Sequence, residues 1–115
     1  MRLIIPLLLA TPALADPATI VSAEATPDGA AWRIAVTIAH PETGWDDYAD
    51  GWRVLGPDGT VLGTRVLAHP HPDEQPFTRS LSGIAIPENL TEVTIQSSTT
   101  ATGWSGETLP LTLPD

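Results

Sequence analysis

The sequence predicts an all-β domain that follows a secretory signal peptide. Apolar and polar residues alternate in short segments, and no stretch keeps the helical period over a convincing length. Turn-forming residues separate the segments, and the chain contains 12 prolines and 9 glycines. About 100 residues suffice for one hydrophobic core. We therefore expect a single domain over residues 16–115.

The first 15 residues have the organisation of a signal peptide. Arg2 supplies a positive charge, an apolar run covers residues 3–10, and the segment ends in a small-x-small pattern at Ala13–Ala15. We therefore predict cleavage between Ala15 and Asp16 and a mature protein in the periplasm or outside the cell. The apolar run is too short to span a bilayer, and no cysteine follows the cleavage point to carry a lipid. No membrane insertion is expected after cleavage.

Seven strands are predicted in chain order. They cover residues 19–26, 32–39, 48–55, 60–67, 77–84, 90–98 and a last segment in which Leu109, Leu111 and Leu113 alternate. The second strand is the clearest, because its even-numbered residues are apolar, and His40 continues that buried parity at its end. Pro110 lies within the seventh strand, which is therefore expected at a sheet edge, where the missing N–H is not needed.

Seven short strands with regular turns resemble the two-sheet β-sandwich of immunoglobulin and fibronectin type III domains. Trp52 lies at a predicted core position, but the chain has no cysteine and so lacks the Cys–Trp–Cys pattern of antibody domains. If consecutive strands are antiparallel, the loops after the second, fourth and sixth strands share one end. These loops cover residues 40–47, 68–76 and 99–106 and define the loop end. The opposite end is expected to hold only tight Pro/Gly turns, such as residues 56–59.

Charge and sulfur content exclude several function classes. Residues 16–115 contain 4 arginines, no lysine and 14 acidic residues, a formal charge of −10. This balance argues against nucleic acid and anionic lipid surfaces as partners, and it favours cationic ligands or basic partners. The chain has no cysteine, and its one methionine is Met1. Disulfides and soft sulfur ligands are therefore not expected in the mature domain.

All three histidines fall in the predicted loop end, which suggests a metal site. His69 and His71 are two residues apart and could converge on one ion, with His40 and Glu74 completing the ligand set. Imidazole and carboxylate ligands suit Cu(II) or Zn(II). However, the proline after each of the paired histidines favours polyproline II, which would turn the two rings apart. The alternative is that these are ordinary loop histidines, with His40 hydrogen-bonded at a strand end.

Aromatic and acidic residues accompany the histidines at the predicted loop end. These residues are Trp45, Asp46, Asp47, Tyr48 and Trp104. They would either hydrogen-bond to the metal ligands and orient them, or form the rim of a ligand-binding surface. The alternative is that the aromatic residues cap the core and the aspartates form a solvated turn, because the acidic run lacks the spacing of a calcium loop. Arg79 is expected to face inward and to pair with Glu74 or an aspartate.

Two motifs cover much of the mature domain. Residues 45–52 follow the pattern W-x-x-Y-A-D-x-W, and residues 69–81 follow H-P-H-x-x-E-Q-P-F-T-R-S-L. With these motifs the chain resembles an uncharacterised family of small exported bacterial proteins. The resemblance implies export but no particular activity.

No segment carries a catalytic signature. Gly103-Trp104-Ser105-Gly106 is shorter than a nucleophile elbow, and an all-β sandwich lacks the strand-to-helix turn that the elbow requires. We therefore expect a non-catalytic exported module that binds a protein or a small ligand through the loop end. The alternative function is the binding of a divalent transition metal, Cu(II) or Zn(II), through the His-x-His segment.

Overall fold

A computed structural model describes residues 16–115, and the predicted signal peptide lies outside the described residues. The described chain is all-β, as the alternation predicted. Its seven strands are β1 (Thr19–Asp28), β2 (Ala31–Ala39), β3 (Ala49–Leu55), β4 (Val61–Val66), β5 (Phe77–Ile84), β6 (Glu92–Thr99) and β7 (Gly103–Thr112). Within residues 16–115, no helix is long and apolar enough to cross a membrane.

The strands form two antiparallel sheets. One sheet has the order β1-β2-β5 and the other the order β4-β3-β6-β7. Because neighbouring strands are antiparallel, the connections that follow β2, β4 and β6 come together, as predicted. Two hydrogen bonds join these connections directly. The Thr100 N–H donates to the Tyr48 carbonyl at 3.0 Å, and the His40 N–H donates to Gln75 Oε1 at 2.9 Å.

The core lies between the two sheets and takes alternate residues from their strands. Ile34, Val36 and Ile38 of β2 belong to the same buried cluster as Trp52 and Val54 of β3. The predicted core position of Trp52 is confirmed, since this residue has no exposed surface. Burying each large aliphatic side chain contributes about 1.5–3 kcal/mol relative to exposure. Burial of this cluster therefore supplies the main driving force for packing the two sheets, and the packed sheets fix the position of the loop end.

The first turn lies later than the sequence indicated. β1 continues through Pro27 to Asp28, and the chain reverses at Gly29, whose φ of 62° suits a tight hairpin. Proline is tolerated in β1 because β1 is an edge strand, where a missing N–H breaks no sheet hydrogen bond. The predicted bounds of the second to sixth strands agree with the structure or differ from it by one or two residues.

The predicted loop at residues 99–106 is too long, because Thr99 belongs to β6 and residues 103–106 belong to β7. The chain reverses within Thr100–Thr102, where the Thr99 hydroxyl accepts the Thr102 N–H at 2.9 Å and Gly103 adopts a φ of 72°. Trp104 then pairs with Ser98 of β6. β7 is an edge strand, which confirms the placement predicted from Pro110.

Candidate functional site

The loop end contains a buried histidine directly after β2. His40 keeps the inward parity of that strand and is 2% exposed. Its Nδ1 lies 2.5 Å from Glu42 Oε2, and its Nε2 lies 3.0 Å from the Asp16 carbonyl oxygen and 3.5 Å from Asp47 Oδ1. Both ring nitrogens therefore face oxygens, whereas a neutral imidazole has only one N–H.

Glu42 is the centre of this cluster, and the sequence analysis did not single it out. Its side chain has no exposed surface. Oε2 faces His40 Nδ1 and accepts the Ala49 N–H at 2.9 Å, whereas Oε1 has no hydrogen-bond partner among residues 16–115. Oε1 lies 3.9 Å from Nδ1 of His71. The signal that could have found Glu42 is its spacing of two residues from His40, because this spacing keeps a side chain on the same face of an extended chain.

His71 reaches the cluster from the connection between β4 and β5. It is 6% exposed, and its ring stacks on Phe77 with centroids 4.1 Å apart and planes at 15°. Burial lowers the pKa of His71, and the charge of Arg79 acts in the same direction. The neutral ring is therefore favoured, and its Nδ1 has no hydrogen-bond partner within the described residues. Gln75 ties this connection to His40, since its Nε2 donates to the His71 carbonyl at 3.0 Å.

His69 lies beside His71 but remains exposed. The two ring centroids are 4.6 Å apart with planes at 39°. The rings are therefore neighbours, and the expectation that the prolines would turn them apart is wrong. The backbone at His71 is held by Gln75, and the Phe77 stack fixes its ring. Nδ1 of His69 lies 2.9 Å from the Pro70 carbonyl oxygen.

Glu74 lies in an ion pair rather than among the histidines. Arg79 Nη2 donates to Glu74 Oε1 at 2.9 Å, which confirms the predicted pair, and this hydrogen bond lowers the pKa of Glu74. The predicted ligand set of His40, His69, His71 and Glu74 is not assembled. Within residues 16–115, no three His, Asp or Glu side chains stand at metal-binding spacing. His40 instead contacts Glu42 and the Asp16 carbonyl.

The rim predicted around the loop end exists in part. Trp45 is 69% exposed and packs edge-on against Tyr48, with ring centroids 5.6 Å apart and planes at 81°. Their loop is ordered by a bridge between Gly44 and Asp47, where the Asp47 N–H donates to the Gly44 carbonyl at 3.3 Å. The Tyr48 N–H also donates to the Thr100 hydroxyl at 3.1 Å. The loop therefore presents Trp45 to solvent on a fixed support.

Two rim residues take other positions. Trp104 lies on β7 instead of in a loop, and the Arg53 guanidinium lies 4.0 Å from its ring centroid. Asp47 Oδ1 turns inward to within 3.5 Å of His40 Nε2. Asp46 is exposed, and its carbonyl accepts the Thr100 hydroxyl at 3.4 Å.

The end of the domain opposite the loop end contains a groove of about 380 Å³. It is lined by Gly56, Pro57, Asp58, Thr60, Leu62, Pro87, Asn89 and Leu90. Its one titratable group is Asp58, which accepts the Thr60 N–H at 3.0 Å. This hydrogen bond lowers the pKa of the Asp58 carboxyl. The histidines and the exposed aromatic pair all lie at the loop end, so we place the candidate site there.

Comparison with known proteins gives one informative similarity. The chain is 38% identical over 81 residues to a Halomicrobium mukohataei protein named "Putative lipoprotein". The match covers 70% of this chain and 39% of that protein, so the chain spans about two fifths of the relative's length. The relative's printed name states no activity. No family model and no solved structure matches the chain.

Proposed function

We propose that this protein is an exported, non-catalytic binding module that holds its partner at the loop end. The observation that carries the proposal is Trp45, which is 69% exposed on an ordered loop and packs against Tyr48. Tryptophan and tyrosine are enriched among the residues that dominate binding energy at interfaces. Because the Gly44–Asp47 bridge already orders this loop, little conformational freedom is lost on binding.

The charge of the domain favours a basic partner. Residues 16–115 contain 14 acidic residues and 4 arginines, and Asp46 is exposed directly beside Trp45. A cation over an exposed aromatic ring gains about 0.5–1 kcal/mol, and more when the contact excludes water. We therefore propose that the loop end binds a segment of a protein that is rich in arginine or lysine.

Export of the chain is supported by two independent features. Residues 1–15 have the charge, apolar run and small-residue ending of a signal peptide, and the similar Halomicrobium mukohataei protein carries the name of a lipoprotein. We propose a location in the periplasm or outside the cell, with cleavage between Ala15 and Asp16. The motifs at residues 45–52 and 69–81 remain a prediction of kinship with small exported bacterial proteins.

We also propose that the sandwich is of the immunoglobulin and fibronectin type III kind. The division of seven strands into sheets of three and four supports this assignment. In immunoglobulin constant domains the fourth strand joins the sheet of the first two strands, whereas here β4 pairs with β3. This difference favours the fibronectin type III arrangement.

Panning of a random peptide display library tests the binding proposal. Three immobilised proteins are compared: the wild type, Trp45→Ala, and Val61→Ala as a control at an exposed position away from the loop end. We expect the wild type and Val61→Ala to enrich arginine- and lysine-rich peptides, and Trp45→Ala to bind them at least tenfold more weakly. Enrichment of neutral or acidic peptides, or equal binding by Trp45→Ala, would overturn the proposal.

A second candidate function is the binding of Cu(II) or Zn(II). It is favoured by Glu42 Oε1 and His71 Nδ1, which are buried, lie close to each other and have no hydrogen-bond partner among residues 16–115.

A further inference from the structure

Two buried polar atoms face each other at the loop end without a hydrogen bond. Glu42 Oε1 and His71 Nδ1 are 3.9 Å apart, and neither has a hydrogen-bond partner within the part of the chain that the structure describes. This separation is too long for a hydrogen bond. The side chains of Glu42 and His71 are 0% and 5% exposed. Buried polar atoms of this kind are rarely left unsatisfied in folded proteins, so the pair offers two free coordinating atoms to a ligand.

Resting on the second candidate function, we propose that Glu42 and His71, joined by His69, form its binding site for a divalent transition metal of the Zn(II) and Cu(II) class. Bonds from such a metal to imidazole nitrogen and carboxylate oxygen are about 2.0–2.2 Å long, so two ligands at a tetrahedral angle lie about 3.4 Å apart. The observed separation of 3.9 Å is close to this value. A closure of about half an ångström brings both atoms into the coordination sphere.

The Glu42 carboxylate is already oriented for this role. Oε2 is held by His40 Nδ1 at 2.5 Å and by the Ala49 N–H at 2.9 Å, which leaves Oε1 as its free oxygen. Metal ligands in proteins are commonly fixed from behind in this way, and the supporting residue strengthens metal binding. His40 is thus assigned to the support of the carboxylate and not to the metal itself.

The side chains of His69 and His71 differ in how freely they can rotate. The His71 ring is fixed by its stack on Phe77, with centroids 4.1 Å apart. The His69 ring lies 4.6 Å from the His71 ring on the exposed side. Its Nδ1 faces the Pro70 carbonyl at 2.9 Å, so binding of the ion by His69 requires this exposed side chain to rotate. Two imidazoles and one carboxylate leave a coordination position for water or for a group of a partner.

This ligand set differs from the one that the sequence suggested. Glu42 replaces Glu74, whose carboxylate is bonded to Arg79 at 2.9 Å. The two glutamates therefore form a matched pair for an experiment, because each carries one carboxylate at the loop end and only one is assigned to the metal.

Metal titration of the chelator-treated protein tests the assignment. Zn(II) and Cu(II) affinities are measured by competition with a chromophoric chelator, and Co(II) reports the coordination geometry through its visible absorption. We expect one equivalent to bind the wild type. Glu42→Gln should weaken Zn(II) binding at least 100-fold and His69→Ala at least tenfold, since even supporting residues change affinity about 10–100-fold. Glu74→Gln should leave the affinity within twofold.

Several results would overturn the assignment. These are the absence of stoichiometric binding to the wild type, weakening by Glu74→Gln but not by Glu42→Gln, and unchanged affinity in His69→Ala. If Glu42→Gln does not fold, the exposed His69 decides the question through its variant and through Zn(II)-induced shifts of its ring NMR signals. Trp45→Ala should bind Zn(II) normally, so failure of this proposal is distinguishable from failure of the peptide-binding proposal.

Discussion

Replacement of Glu42 by alanine should destabilise the metal-free protein far more than the loss of an exposed glutamate. Glu42 is the buried partner of His40 at 2.5 Å and also accepts the Ala49 N–H at 2.9 Å. Removing one member of a buried pair costs about 3–5 kcal/mol, because the other member stays buried without its partner. For a domain of this size, such a loss lowers Tm by more than about 12 °C.

Urea denaturation in the presence of a chelator measures this effect. The fluorescence of the buried Trp52 provides a core signal, and an unchanged m value confirms that only the free energy of unfolding has changed. Glu88→Ala, at an exposed turn, is the control and should stay within about 0.5 kcal/mol of the wild type. The double variant of His40 and Glu42 should cost less than the sum of the single variants, by about 0.5–3 kcal/mol.

Two results would refute the reasoning about Glu42. The first is a cost for Glu42→Ala no larger than that for Glu88→Ala. The second is strict additivity of the His40→Ala and Glu42→Ala effects, which would mean that the 2.5 Å contact contributes nothing to stability.

Three further outcomes are expected. Ser97→Ala should cost about 1–3 kcal/mol in urea denaturation, because the fully buried Ser97 hydroxyl donates to the Ala18 carbonyl at 2.6 Å and the variant leaves that carbonyl unpaired; no measurable loss would contradict this. The hydrogen bond from Thr60 lowers the folded-state pKa of Asp58, so the ionised carboxylate stabilises the fold above its unfolded pKa of about 3.9, and this stabilisation is lost as the pH falls through the folded value. Thermal melts between neutral and acidic pH should therefore show less acid sensitivity for Asp58→Asn than for the wild type. Gly103→Ala should cost about 1–2 kcal/mol, since Gly103 has a φ of 72° that a residue with a Cβ adopts only with strain, and an unchanged Tm would show that the hairpin relaxes.

The strands could be predicted because their signals are local. The period-2 alternation of β2 and the turn residues at 56–59 lie within a few positions of the structure that they specify. The grouping of three connections at the loop end could be predicted because consecutive strands were expected to be antiparallel. The predicted strand bounds were wrong where hydrogen-bonded pairing between strands, rather than local sequence, determines the structure. Trp104 is in a strand because it pairs with Ser98 and because a Thr99–Thr102 bond tightens the hairpin.

The site was predicted less well than the fold, because Glu42 and His71 meet only through the packing of two connections that lie far apart in the chain. Glu42 acquires its role through the Ala49 N–H, the His40 ring and His71, which approaches from another connection. By residue type, Glu74 was an equally good candidate for a metal ligand. However, its carboxylate accepts a hydrogen bond from Arg79, which lies five residues later in the chain. Residue type and spacing identify which groups have metal-binding chemistry, whereas long-range packing decides which of them meet.

The attachment of the segment before β1 also has a mechanical consequence. The Asp16 carbonyl is bonded to His40 at the end of β2, and the Ala18 carbonyl is bonded to Ser97 of β6 in the other sheet. A pull on the amino end of the described residues therefore loads these two bonds before it reaches the β1–β2 ladder. These two hydrogen bonds connect the segment before β1 to both sheets, so a pulling force at that end is shared between the sheets. The loop end, which contains His40, lies directly on the path of this force.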